Sequence, residues 1–437
     1  MDNNMPPLKI LICGAGITGT ALSFWLSKLG HEITVIERFP VLRTTGLQVD
    51  LRGFGITVLK RMGLEESFRA VAANEQGVRL VDKKGRSWGY FPAHNNPSAK
   101  GPQSFTSDFE IMRGDLCQML HDASKDRVKY RFGVHVQRID QTAAQFADVK
   151  FSDGTKERFD LVVGADGQWS GTRKIMLEEG KAGGRDPLQS IGVFAGYFTV
   201  NEKMREGDGF DATIYVATQG RGIMTRRHDI DKYQAYLFCK TEASVKLKSS
   251  RTEDFEDEKE ALEEVFRGAG WRSEEVMEGM RKSEDFYCER IGVVVLNKWS
   301  RGRIALVGDA AYCPSAMTGM GTSCGIAGAY VLAGEIARHC GDGSGDAADK
   351  GRSITAALDG YERKFRPLMD RMQKGLRDNP NYMDQFPSST LGLGVMYLIF
   401  WITSLLRLDV LARMVLREDT KGWKLPEYPE LDETKVR

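Results

Sequence analysis

Leu8-Lys9-Ile10-Leu11-Ile12-Cys13-Gly14-Ala15-Gly16-Ile17-Thr18-Gly19 is an apolar run of strand length that ends abruptly in glycines spaced Gly-x-Gly-x-x-Gly. An apolar helical pattern follows (Ala21, Leu22, Trp25, Leu26, Leu29) and stops at Gly30. A second apolar run, Ile33 to Ile36, delivers Glu37. Strand, glycine turn, helix and a second strand ending in an acid together form the arrangement that binds a dinucleotide. Gly14 permits the tight turn, Gly16 lets a pyrophosphate approach the backbone, and Gly19 lets helix and strand pack closely. The helix N-terminus offers N–H groups and a positive dipole end to the phosphates. Glu37 stands where a carboxylate accepts hydrogen bonds from a ribose diol.

The chain has 437 residues, enough for a large core and two interleaved domains. Apolar residues at 41% and charged residues at 28% fit a globular protein. A net charge of +1 and the lack of a basic patch interleaved with aromatics argue against nucleic acid as a partner. Cys13, Cys117, Cys239, Cys288, Cys313, Cys324 and Cys340 are scattered and form no Cys-x-x-Cys pair. They are expected to be free thiols in a reducing, cytoplasmic setting. The first strand begins at Leu8, with no room for a signal peptide before it. The histidines have no metal-ligand spacing, so no metal is expected.

Past Glu37, Arg38-Phe39-Pro40 closes the strand, and Arg43 to Gly53 places basic residues and glycines beyond its carboxyl end. That is where open α/β sheets bind ligands. Val58 to Val71 has helical spacing, Gly77 to Phe91 reads as a β-hairpin, and His94 to Gln103 as a loop. Ile111 to Leu116 opens a helix with Arg113 in its first turn, unfavourable for the dipole unless an anion is near. Val128 to Phe132, Val134 to Asp140 and Asp148 to Phe151 are expected strands. A second stretch, Asp160 to Arg173, again runs a buried strand into small residues and an acid, Asp166-Gly167. Alternation from Ser190 to Lys240 predicts antiparallel strands in a separate sheet. Glu253 to Phe266 reads as a solvated, charged helix. A third stretch, Gly302 to Ser323, carries a strand into Gly308-Asp309 and then a helix start crowded with small residues, which implies backbone against a ligand. Gly341 to Gly351 reads as a loop and Ile354 to Leu376 as a helix. Thr390 to Leu406 is apolar but interrupted by glycines and flanked by charges. A helix packed across two domains is expected there, with membrane contact possible but not favoured.

The ordered trio resembles the flavin-dependent aromatic hydroxylase family, the group A flavoprotein monooxygenases of the para-hydroxybenzoate hydroxylase type. The Arg43 to Leu51 loop and Met112-Arg113-Gly114-Asp115-Leu116 are similar to the tetracycline-inactivating branch and its bacterial and fungal relatives. The likeness covers Leu8 to about Arg366. It implies an α/β fold: a Rossmann-like FAD-binding domain of GR2 type (1–75, 106–185 and 286–375) interleaved with an antiparallel β-sheet substrate domain (76–105 and 186–285). A C-terminal helical segment (376–437) would complete it.

The likeness further implies site residues. Gly14, Gly16, Gly19 and Glu37, with Arg38 beside it, would bind the ADP half of FAD. Arg113 would contact FAD near its phosphate-ribose portion, and Arg43 and Gln48 would lie on the loop near the flavin. Asp166 and Gly167 would serve both FAD and NAD(P)H. Asp309 would bind the ribityl or ribose-phosphate portion, and Pro314, Gly319 and Gly321 would line the isoalloxazine. Tyr312 departs from the family, which commonly has histidine there. The implied activity takes FAD as cofactor and NAD(P)H as a transient co-substrate. O₂ and a flavin C4a-hydroperoxide would then put one oxygen into a small molecule by hydroxylation, epoxidation or Baeyer–Villiger oxidation. A flavoprotein cyclase or isomerase without net oxidation is the alternative. Tyr197, Met224, Arg226 and Tyr236 lie on strands that would face the substrate, expected to be mid-sized, largely apolar and aromatic or polycyclic. The chain would be a monomer or homodimer.

Overall fold

The computed structural model describes residues 7–73, 75–93, 109–143, 145–178, 187–243, 247, 255–340, 347–379, 381–406 and 422–432. The expected loop at 94–103 and most of the one at 341–351 lie outside these residues.

Five strands build a parallel sheet in the order Ile304–Leu306, Leu161–Gly164, Lys9–Cys13, Glu32–Glu37, Lys129–Phe132, with the short antiparallel Ser300–Arg301 at one edge. Apart from the edge strand Lys129–Phe132, they are near-continuously apolar because helix Ile17–Lys28 and the small antiparallel sheet Val136–Asp140, Ala147–Phe151, Lys156–Phe159 both pack into their core. Helices Ile17–Lys28 and Gly321–Cys340 pack on each other through small residues: a Cβ on Gly325 would stand 2.4 Å from Thr18 Oγ1. The three signature stretches leave this sheet side by side. Cys13 is in register with Gly164, and Gly164 with Leu306, so the turns after them share one edge of the sheet. Register alone brings together residues about 150 positions apart in the chain.

The second sheet has seven strands in the order Tyr287–Val294, Leu188–Asn201, Lys232–Lys240, Arg221–Arg227, Asp211–Ala217, Gly77–Val81, Ser87–Pro92. It contains one parallel pair, Asp211–Ala217 with Gly77–Val81, where pure antiparallel pairing is expected from the sequence. The expected hairpin of residues 77–91 supplies its far edge. The opposite edge, Tyr287–Val294, carries the sheet past residue 285.

One face is covered by helices Glu256–Phe266 and Ser273–Lys282, which bury Ala261, Leu262, Phe266, Val276, Met277 and Met280. The first of these is therefore not only a solvated face: most of its charges point out, Glu258 is buried, and one apolar stripe seals the sheet. The helical spacing of residues 58–71 resolves into two helices, Phe54–Arg61 and Glu65–Ala70, because Gly63 at φ +73° turns the chain between them.

Helix Thr390–Leu405 does not span two domains. Its buried Leu393 and Tyr397 pack with Leu80, Trp88, Ile214 and Val216 on one face of the seven-stranded sheet. The outlying strands leave that apolar area uncovered otherwise, and the Tyr397 hydroxyl donates to the carbonyl of Val216 at 3.0 Å. Among the described residues no helix is long and apolar enough to cross a membrane.

Candidate active site

The first glycine turn is tightly specified. Gly14 has φ +111°, and a Cβ there would lie 2.6 Å from the carbonyl oxygen of Ala165. A Cβ on Gly19 would lie 1.9 Å from the Gly14 carbonyl oxygen, so only glycine lets helix meet turn. Gly16 differs, since its Cβ position points into open space with Arg113 Nη2 at 3.9 Å as the nearest neighbour. Glu37 holds the turn, accepting from the Ala15 N–H at 3.0 Å and the Phe39 N–H at 3.1 Å. Arg38 is exposed, its guanidinium 5.0 Å from the Phe39 ring.

Arg113 opens helix Arg113–Asp122 against the 43–47 loop: a Cβ on Gly114 would overlap the Thr44 carbonyl at 1.8 Å, and one on Gly46 would crowd the Arg113 side chain at 3.2 Å. Arg43 lies close by, and burial together with the neighbouring Arg113 pulls its pKa down. Among the described residues neither arginine forms an ion pair. Two half-buried, mutually repelling cations beside an open glycine turn form a site that fits a pyrophosphate.

Asp166 is committed within the protein. Its carboxylate accepts from Ser170 Oγ, from the Thr172 N–H at 2.9 Å and from Thr172 Oγ1 at 3.0 Å, capping helix Gly171–Glu178. Gly167, at φ +77°, makes the turn before it. Asp309 lies deep, with part of its surface open, and a Cβ on Gly321 would come 3.9 Å from its Oδ1. Burial raises the Asp309 pKa and Arg113 lowers it, so the third stretch and the Arg113 helix share one electrostatic environment. Pro314 is buried, while Gly319, at φ +63°, is exposed with open space over it. Ser315 between them holds φ +77°, a strained value for a residue with a side chain. Gln373 pins this segment from behind, donating to the carbonyls of Val294, Tyr312 and Cys313 at 2.8, 3.0 and 3.0 Å. Tyr312 faces away from the cleft, its ring 4.7 Å from Trp299 and 5.2 Å from Phe365 in the core.

Across the cleft stands the apolar face of the seven-stranded sheet. Tyr197, Tyr236, Ile291 and Val293 cluster there with Met224, Phe238 and Tyr287. Leu47 from the arginine loop and Met317 from the third stretch join the same cluster. Sheet and cofactor-side loops thus meet in one apolar cluster. Tyr197 packs 4.9 Å from Tyr287 and 5.8 Å from Tyr236.

Two expected site residues are engaged elsewhere. Arg226 donates from Nε to Glu75 Oε2 at 2.6 Å and from Nη2 to Glu110, so it is not free to steady a substrate anion. Gln48 donates to the same two carboxylates instead of pointing at a flavin, because those deep acids need every donor within reach. Gln234 then ties the loop to the sheet. It accepts from the Gln48 N–H at 2.9 Å and from the Tyr236 hydroxyl at 3.2 Å, and it donates to the Gly46 carbonyl at 3.0 Å.

Sequence reading missed Tyr287 and Glu289, which lie deep beside Arg113 and Asp309. The signal available was a lone acid in the alternating apolar run Phe286 to Val295.

A dinucleotide-binding α/β sheet whose loops close against an aromatic sheet defines a flavoprotein oxidoreductase. The chain belongs to the FAD binding domain family, which matches residues 7–373, and it is an FAD-dependent monooxygenase of that family. It is 44% identical over 432 residues to the FAD-dependent monooxygenase asL4 of Sarocladium schorii, covering 98% of this chain and 99% of that one. It is 40% identical over 377 residues to the flavin-dependent monooxygenase eupH of Phoma sp, covering 84% and 85%. The crystal structure of tetracycline destructase Tet(55) superposes with a TM-score of 0.76 at 27% identity, over 97% of this chain and all of that one.

Proposed function

We propose that the enzyme uses NAD(P)H and O₂ to insert one oxygen atom into a mid-sized, largely apolar, aromatic or polycyclic small molecule. Bound FAD supplies the activation of oxygen and its transfer. The chain's own residues bind, orient and exclude water. Arg113 and Arg43 would offer charge to the pyrophosphate, Asp309 would hold the ribityl or ribose-phosphate portion, and Pro314, Gly319 and Gly321 would line the isoalloxazine.

One observation supports the substrate reading: Tyr197, Tyr236, Tyr287, Met224, Leu47 and Met317 gather in a single apolar, aromatic cluster where sheet and cofactor loops meet. Flat apolar walls with few polar groups suit an aromatic guest. The 27% identical neighbour named for tetracycline, a fused polycycle, points the same way. The test is a screen of aromatic and polycyclic compounds for stimulated NAD(P)H oxidation by the FAD-loaded enzyme. Product gaining the mass of one oxygen is expected. Turnover without NAD(P)H or O₂ consumption would overturn the reading.

A further inference from the structure

On the face of the seven-stranded sheet that carries helices Glu256–Phe266 and Ser273–Lys282, Tyr215, Ile223 and Leu237 belong to the apolar cluster under those helices. Two residues along the same strands, Thr213 and Thr225 face the same way. There a cavity of about 220 Å³ opens, its lining including Arg79, Thr213, Thr225, Arg227, Tyr233 and Trp271. Register assembles it. Arg79, Thr213 and Thr225 stand opposite one another on three neighbouring strands, and Arg227 stands opposite Tyr233. Met224 and Tyr236 point to the other face, into the aromatic cluster on the cofactor side. One thickness of sheet therefore separates this cavity from the cleft. It is smaller than the roughly 300 Å³ at which drug-sized sites begin, yet much larger than one water needs.

Most charged groups around the cavity are already engaged. Arg79 pairs with Asp211 at 2.8 Å, and Asp211 also accepts from the Tyr90 hydroxyl at 3.1 Å. Arg272 pairs with Glu202 at 2.5 Å and with Glu275 at 2.8 Å. Asp208 accepts the Arg205 N–H at 3.1 Å. Arg227 differs. It is 6% exposed, and its Nη1 donates to the carbonyls of Glu202, Asp229, Ile230 and Lys232 at 2.9, 3.2, 3.5 and 3.3 Å. Among the described residues its Nε and Nη2 make no hydrogen bond and its guanidinium forms no ion pair. Tyr233 is 2% exposed, and its hydroxyl is buried without a partner. Burial pushes the pKa of that hydroxyl up to about 12, so it keeps its proton and can donate. The hydroxyls of Thr213 and Thr225 also lack a partner among the described residues. A buried cation without a counter-charge and a buried hydroxyl without a bond both cost stability.

We propose that this cavity is a second ligand site, separate from the cleft, and that it takes a small organic carboxylate. The carboxylate meets Nε and Nη2 of Arg227, a fork that matches it in shape and charge. Tyr233, Thr213 and Thr225 supply hydroxyls to the remaining oxygens. Trp271, held at a strained φ of +47°, adds an apolar wall for the carbon skeleton. One uncompensated positive charge suits one negative charge, and Asp208 and Asp211 in the lining oppose the second charge of a phosphate. The site goes beyond the oxygenation reaction, and its occupancy does not depend on that reading.

The test is isothermal titration calorimetry of FAD-loaded enzyme with L-lactate, pyruvate, L-lactamide and inorganic phosphate. L-Lactate or pyruvate should bind wild type, and L-lactate about tenfold or more tightly than its neutral amide, as expected for a hydrogen bond to a charged group. Tyr233→Phe removes a hydroxyl that bonds nothing in the empty protein, so it should melt like wild type and keep its FAD. It should bind the carboxylate about fivefold or more weakly, and Thr225→Val should do the same. Failure of both carboxylates to bind wild type, equal binding of L-lactamide, tighter binding of phosphate, or unchanged affinity in both variants would overturn the proposal. Should Tyr233→Phe melt early, Thr225→Val and the lactate-to-lactamide ratio decide.

Discussion

Gly16 and Arg113 face each other across the mouth of the cleft, the Cβ position of one 3.9 Å from Nη2 of the other. They come from different elements, and together they edge the glycine turn proposed to receive the pyrophosphate of FAD. Substituting the two neighbouring glycines should therefore separate folding from binding. Gly16→Ala should fold and melt like wild type without cofactor, yet bind FAD about tenfold or more weakly, because the added methyl occupies ligand space. Gly19→Ala should fail to fold, since its Cβ would overlap the Gly14 carbonyl at 1.9 Å. Flavin fluorescence titration and thermal melts of the apoprotein check both.

Arg113→Ala should weaken the holoenzyme far more than the apoprotein. The holoenzyme loses a charge-assisted contact of about 1.5–3 kcal/mol, so FAD affinity should drop roughly 10- to 100-fold. In the apoprotein the lost repulsion with Arg43 is offset by lost attraction to Asp309, so its melting point should move little. Melting curves with and without FAD measure both.

Asp166 supports a helix start: Oδ2 accepts the Thr172 N–H, and Oδ1 holds the hydroxyl of Ser170, which itself accepts the Arg173 N–H at 2.8 Å. Asp166→Ala should cost about 1–2 kcal/mol of stability, as loss of an N-cap does. Denaturant titration of the apoprotein reads that cost free of any effect on cofactor or nicotinamide.

Glu75 gives a pH signature. Burial pushes its pKa from 4.5 up to about 7, with Arg226 opposing and Glu110 adding to the rise. The folded state thus holds a proton that the unfolded state has released across that window. The Glu75 contribution to stability should fall as pH rises from about 5 to about 7. Glu75→Gln should remove that slope in denaturant midpoints measured across the window. Arg226→Ala should cost about 3–5 kcal/mol, because it leaves two deep carboxylates without their cation.

On helix Thr390–Leu405, Tyr397 is 8% exposed and Trp401 is 47% exposed. Tyr397→Ala should cost about 3 kcal/mol and undock the helix, whereas Trp401→Ala should stay within about 0.5 kcal/mol. Amide hydrogen exchange of residues 390–405 distinguishes the two.

Local chemistry made much of this molecule legible. Gly14 and Gly19 admit no side chain because the backbone itself fills the space, and that constraint is written within a dozen residues. The strand-to-small-residue transitions ending at Asp166 and Asp309 were readable for the same reason, and so was the alternation of the second sheet. The roles of particular polar side chains were decided only by register and packing. Arg226 and Gln48 looked available from their positions, but Glu75 and Glu110, brought from distant strands, claim both. Asp166 also braces the start of its own helix, a role visible only once Ser170 and Thr172 are folded against it. Glu289 drew no notice in sequence, because a lone acid on a strand is ordinary until its neighbours are known. Burial, paired charges and cross-strand partners fix what such a group does, and these are properties of the folded chain, not of any short stretch.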